Sequence, residues 1–366
     1  MSTSHRMHKF TGAGLAAGLA VVLAGCGGGY GGGGGNYMPP TVTMSSYAVT
    51  SLVSDAVIPA AHTDANLVNG WGVAFNPKGF VWVADNGTSK STLYDGNGVP
   101  QSLVVSTPDA PTGIVYNGST DFKLTQGGVT GTSPFLFATE SGMIAAWSPS
   151  VNATTALTAF DGSGAGAVYK GLAIGSYAGT NYLYAADFHN MRVDVFDTSF
   201  AKVSLPGNFT DPGLPAGYAP FGIQAIGDRI YVAYAKRAAS GDDEQAGPGA
   251  GVLDVYTTGG VLVRQLVSGG ALNAPWGIAM APADFGSSSN MLLVGNFGDG
   301  KINVYDPANG AAKGALSGAD GMPLVIDGLW GIAFGNGINS QPTNALFFAA
   351  GPKDETHGQY GRIDLK

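Results

Sequence analysis

The stretch LVGNFGDGKINVYD, Leu293 to Asp306, states for the third time a phrase that the chain has already used twice. WVADNGTSKSTLYD begins at Trp82 and YAADFHNMRVDVFD at Tyr184, and the three align over fourteen residues without a gap. Apolar residues take the first two positions, and Asp85, Asp187 and Asn296 share the fourth. Lys90, Arg192 and Lys301 share the ninth, and an aromatic residue followed by Asp closes each copy. Two short apolar runs around a polar turn read as a pair of neighbouring strands. A chain that repeats such a pair is built from copies of one unit.

A second phrase precedes each copy: a residue that is often aromatic, then Gly, then an apolar residue. It occurs at Trp71-Gly72-Val73, Thr112-Gly113-Ile114, Lys170-Gly171-Leu172, Phe221-Gly222-Ile223, Trp276-Gly277-Ile278 and Trp330-Gly331-Ile332. The glycines lie 41, 58, 51, 55 and 54 residues apart, a period that points to a propeller or a related repeat architecture. Four strands fit each unit; in the first they are expected at Trp71–Phe75, Phe80–Asp85, Ser91–Tyr94 and Gln101–Ser106. Gly beside the axis permits close approach of neighbouring backbones. Weaker copies run from Phe135 to Trp147, from Ile230 to Tyr256 around a long insertion, and from Leu346 to Leu365. The last has only three strands. YAVTSLV, Tyr47 to Val53, precedes the first unit and is expected to supply the missing outer strand, since a free edge is a liability. The expectation is an all-β, six-bladed propeller over residues 47–366, closed by its N-terminal strand.

Composition agrees. With 59 Gly and 20 Pro but only 11% charged residues, the chain suits many short strands and tight turns rather than a helical enzyme. Hydrophobic residues at 45% suffice for a core. The net charge of −8, with no basic cluster, argues against nucleic acid as a partner. The single cysteine, Cys26, excludes an intramolecular disulfide framework and a Cys-based zinc cage.

Residues 1–25 read as an address. Arg6 and Lys9 precede an apolar run too short to span a bilayer comfortably. Leu23-Ala24-Gly25-Cys26 resembles the lipobox of bacterial lipoproteins, which implies cleavage before Cys26 and its lipidation. Gly27 at the next position implies, by the same resemblance, the outer membrane. Residues 26–46, with GGGYGGGGGNYMPP at Gly27 to Pro40, read as a flexible tether.

Tyr184–Asp197 resembles the NHL repeat of six-bladed propellers. The chain from Tyr47 onward is similar to a group of bacterial exported propellers through Gly247-Pro248-Gly249, Val267–Gly286, Leu292–Gly300 and Ile326–Gly337. The resemblance implies a fold and no particular activity.

In this topology the turn entering each inner strand and the turn after each second strand share one face. That mouth is expected to gather Trp71, Asn86, Tyr234, Trp276 and Trp330 as ligand contacts, with Phe221 among the aromatics. Asp85, Glu140, Asp187 and Asn296 are candidates for oxygen ligands to a metal, although Asp at such positions also binds the backbone of the next turn. Asp243-Glu244 and Asp354-Glu355 open two loops that both read Asp-Glu-x-x-Gly. These four carboxylates are further candidates for Ca²⁺, a hard cation that prefers oxygen. His62, His189 and His357 stand apart in sequence and suggest no zinc site.

The leading functional expectation is a lipid-anchored binding or scaffolding module that presents one face to an envelope protein, peptide or glycan. The alternative is a Ca²⁺-dependent, lactonase-like hydrolase similar to the gluconolactonase propellers. Their early Glu-Gly-Pro motif has no counterpart here, where VNGWG stands at Val68 to Gly72. A quinone-cofactor dehydrogenase would want a basic channel, which the chain does not offer.

Overall fold

A computed structural model describes residues 45–366; Cys26, the preceding apolar segment and most of the Gly-rich tether lie outside them. Six sheets are arranged as blades; five have four strands, and in four of these the strands follow chain order without interruption from the axis outward. The first comprises Gly70–Phe75, Val81–Asp85, Lys90–Tyr94 and Val105–Ser106. Its outermost strand is shorter than expected, because Leu93 and Tyr94 hold Gln101 and Pro100 only through isolated contacts. In the sixth blade Tyr47–Ser54 pairs antiparallel with Gln359–Leu365, from Tyr47 opposite Leu365 to Ser54 opposite Gln359. The N-terminal strand therefore closes the ring, and His62–Thr63 adds a short parallel fifth strand outside it. Blade two carries a hairpin that the periodicity does not announce, Lys123–Gln126 with Val129–Thr132. Among the described residues no helix is long and apolar enough to cross a membrane.

The six motif glycines set the packing at the axis. A β-carbon on Gly72 would stand 2.7 Å from the Thr112 carbonyl oxygen, one on Gly171 2.9 Å from that of Phe221, and one on Gly277 2.5 Å from that of Trp330. Gly222 meets the Trp276 carbonyl and Gly331 the Trp71 carbonyl more closely still, and Gly113 meets the Leu172 backbone nitrogen. Each glycine thus abuts the inner strand of the next blade, and the series runs once around the ring back to Trp71. Backbone on both sides cannot rotate away as a side chain can.

Every inner strand also breaks register with its neighbour at this level: at Gly70/Val73, Tyr169/Gly171, Pro220/Gly222, Pro275/Ile278 and Leu329/Ile332, and in blade two opposite Phe137/Thr139. Such bulges re-aim side chains. Here they accompany the residue before each Gly, and the aromatic ones among these meet on the axis.

Between blades, apolar and aromatic side chains fill the wedges. Trp82 stacks on Phe135 with ring centres 3.9 Å apart, and Tyr94 stacks on Tyr360 across the closure at 5.1 Å. Gly222→Ala is expected to cost about 3 kcal/mol or more of stability, because overpacking against fixed backbone cannot relax. Gly175→Ala, where the nearest atom to a β-carbon is 3.4 Å away, should be nearly neutral. Urea unfolding of the two variants checks this, and equal midpoints would contradict it.

Candidate functional site

The axial residues close the channel near its upper end. Trp71 and Trp330 stack at 3.5 Å between ring centres, Phe297 stacks on the Trp330 ring at 4.1 Å, and Trp276 meets both tryptophans edge-on at 5.9 and 5.8 Å. Phe221 joins them at 5.7 Å from Trp330. Trp71 and Trp330 are 1% and 0% exposed and Trp276 9%. The three indoles therefore form a plug rather than an open platform, because the bulged inner strands turn them inward where the ring is narrow. Beneath the plug the axis holds a cavity of about 30 Å³ bordered by motif glycines, which widens to about 400 Å³ between the lower ends of the inner strands.

One member of the axial set is not apolar. Lys170 takes the position that tryptophan holds in three blades, is 3% exposed, and rests its ammonium 5.3 Å above the Trp71 ring. Its Nζ lies 2.6 Å from Glu140 Oε1 and 3.8 Å from Asp243 Oδ1. Asn86 donates to the other Glu140 oxygen at 3.0 Å. Asn69 donates to Asn86 Oδ1 at 3.2 Å and to Glu355 Oε2 at 2.8 Å, and accepts from the Trp330 indole at 3.1 Å. The Trp276 indole donates to the Lys170 carbonyl at 2.8 Å. An amide and carboxylate layer is thereby bolted to the plug below it.

Electrostatics in this layer are unbalanced. Burial alone would lower the Lys170 pKa, but Glu140, Glu244 and Asp243 outweigh it and the net direction is upward. Burial pushes the Glu244 acid up, against the pull of Lys170 and with the help of Asp243 and Glu140. Glu355 is pushed up to about 7 by burial and then by Glu244, against the Asn69 hydrogen bond and Lys170. One ammonium thus faces carboxyl groups from blades two, four and six.

The remaining candidates are elsewhere. Asp187 accepts from the Val168 and Asn190 backbone N–H groups at 3.3 and 3.2 Å, and Asn296 Oδ1 from that of Asn273 at 3.1 Å. Both lock turns. Asp85 is fully buried, and burial holds its carboxyl well above the usual range. Tyr234 lies in the core between blades three and four, its hydroxyl 2.7 Å from that of Tyr256. Asp354 is exposed and makes no side-chain hydrogen bond among the described residues. Among the described residues no three His, Cys, Asp or Glu side chains come together in a way that could hold a metal ion. Of the residues at the ninth position, Arg192 pairs with Asp194 and Lys301 with Asp299, whereas Lys90 donates to the Asn66 amide oxygen.

Lys170 and Asn69 are the contributors that sequence reasoning left out of the mouth. Lys170 carried a signal, as the one cation among six residues that precede a motif glycine. Asn69 carried none beyond its place before Gly70.

The chain is 32% identical over 341 residues to an uncharacterised protein of Acanthamoeba polyphaga mimivirus, spanning 90% of this chain and 82% of that one. A second uncharacterised protein of the same virus is 32% identical over 345 residues, spanning 90% and 88%. This chain belongs to their family. No family model matches it. Among solved structures, virginiamycin B lyase from Staphylococcus aureus aligns with a TM-score of 0.51 and 16% identity over 88% of this chain and all of that one (100%). A Bacteroides thetaiotaomicron protein of unknown function aligns at 0.54 and 8% identity, over 87% of this chain and 76% of that one. These likenesses concern the fold alone.

Glu355 gives the mouth a pH dependence. Its folded pKa, about 7, lies above the ordinary glutamate value of about 4.3, so folding takes up a proton between the two. Stability should be greatest below that window and fall as pH rises through it. Glu355→Gln should flatten this slope. Lys170→Met should cost about 2 kcal/mol near pH 8, a value discounted for the partial exposure of Glu140, and less near pH 5, where Glu355 is protonated. Urea titrations across pH check both, and a slope of opposite sign would overturn the assignment.

Proposed function

We propose that the chain is an exported binding module, anchored by a lipid on Cys26, that takes a basic side chain of a protein or peptide at its acidic mouth. The observation that carries this reading is the single, fully engaged ammonium of Lys170 among Glu140, Glu244, Glu355 and Asp243. A ligand amine or guanidinium would supply the positive charge that the layer lacks, through charge-assisted hydrogen bonds. The plug beneath gives the layer a stiff floor, so a ligand would sit on the mouth instead of threading the channel.

The geometry lends less to a Ca²⁺-dependent hydrolase. Lys170 already holds the cation position beside Glu140, and Asp187 and Asn296 are committed to turns. Export, the outer membrane and the NHL-like and bacterial affinities rest on the sequence signals above; the propeller itself is compatible with a binding role, which fold alone does not choose.

The test is calorimetric titration of the propeller domain with a lysine-rich peptide and with a glutamate-rich control. Binding of the basic peptide alone is expected, stronger near pH 8 than near pH 5.5, and roughly tenfold weaker (about 1.4 kcal/mol) in Glu355→Gln or Glu244→Gln. Melting temperature should not respond specifically to Ca²⁺ or EDTA. Binding unaffected by both substitutions, or a Ca²⁺-specific rise in melting temperature, would contradict the proposal. For the anchor, Cys26→Ser should release the chain from the membrane fraction, and retention there would count against lipidation.

A further inference from the structure

The loop between the second and third strands of blade six has an unusual backbone. Lys353, Asp354 and Glu355 have φ of 56°, 55° and 63° in succession. Among the described residues no other three non-glycine residues stand consecutively in this region, where a β-carbon crowds the following carbonyl oxygen. The turn is closed by the Glu355 N–H to Gly351 O at 3.1 Å and the His357 N–H to Pro352 O at 3.3 Å. Its base is held by the Lys353 N–H to Asp327 at 2.9 Å and by His357 Nδ1 against Asp55 at 2.7 Å. Its tip is held by one side-chain contact, Asn69 Nδ2 to Glu355 Oε2 at 2.8 Å. Strain of this kind persists only where surrounding structure enforces it, and an observed outlier at a site is a reason to ask what it does.

We propose that residues 352–357 form a strained clasp over the mouth, closed while Glu355 keeps its hydrogen bond to Asn69 and released when that bond is lost. The groups that face Glu355 come from every neighbouring element. Glu244 from blade four and Glu140 from blade two repel its carboxylate, and Lys170 from blade three attracts it. Asn69 from blade one is a neutral donor. Within the loop, Lys353 and Asp354 are exposed, and His357 is engaged with Asp55. Backbone strain and the two carboxylates favour opening, whereas the Asn69 contact and Lys170 favour closure. Burial and Glu244 push the Glu355 acid up to about 7, so the repelling charge arrives near neutral pH and favours opening there. As a gate for ligand entry the clasp rests on the reading of the mouth given above, but its motion does not require a ligand.

Hydrogen exchange at the Glu355 and His357 amides, measured without ligand and corrected for the intrinsic rate, tests the clasp. Protection should be about tenfold lower near pH 8 than near pH 6. Glu355→Gln keeps an acceptor for Asn69 but no charge, and should hold the high protection at both pH values. Glu355→Ala removes the tip contact and should lower protection at both. Asp354→Gly relieves strain at a left-handed position and should raise protection throughout. Protection that ignores pH and all three substitutions would overturn the clasp while leaving peptide binding at the mouth untouched. Loss of peptide binding with the exchange pattern intact would overturn the binding reading alone.

Discussion

The rest of the molecule depends on backbone meeting backbone around the axis. Each motif glycine lies against the inner strand of the following blade, in five cases against the carbonyl of the residue before the next motif glycine. These contacts set how closely six blades can converge, and the accompanying bulges decide which side chains occupy the space left. A wider ring would leave a through-channel, and at this radius three tryptophans with Phe221 and Phe297 suffice to block it.

A blocked channel moves any chemistry to the surface above it. The mouth combines a rigid base with an electrostatically frustrated upper layer. The base is apolar, stacked and stitched by indole hydrogen bonds to Lys170 and Asn69. The upper layer has one buried ammonium and several acids, two of them held toward their protonated forms. Buried groups in that condition are costly for stability and are characteristic of sites that await a complementary charge.

Much of the fold was legible because a repeat architecture writes the same constraint several times. The fourteen-residue phrase located the middle pair of strands in blades one, three and five, and the x-Gly-apolar phrase located every inner strand. Tyr47–Val53 was readable as the closing strand because the last unit lacked a partner. The Lys123–Thr132 hairpin was not readable, since an insertion within one blade has no second copy to reveal it. The site was less legible. Trp71, Trp276 and Trp330 were visible as a set, but their burial follows from bulges that no residue type announces. Asp187 and Asn296 looked like ligands because carboxylates and amides suit metals, yet the same groups suit turn N–H donors, and the turns are nearer. The rhyme between Asp243-Glu244 and Asp354-Glu355 did point to the mouth, through Asp243 and both glutamates but not through Asp354.

The most direct measurement of the central claim is proton release on ligand binding. Calorimetric titration of the propeller with a lysine-rich peptide near pH 6.5, repeated in buffers of different ionisation enthalpy, counts protons exchanged. A cation seated among Glu355 and Glu244 must lower their pKa values, so a net release of protons is predicted, diminished in Glu355→Gln. Binding without release, or with uptake, would contradict the account and place the ligand somewhere other than the acidic mouth.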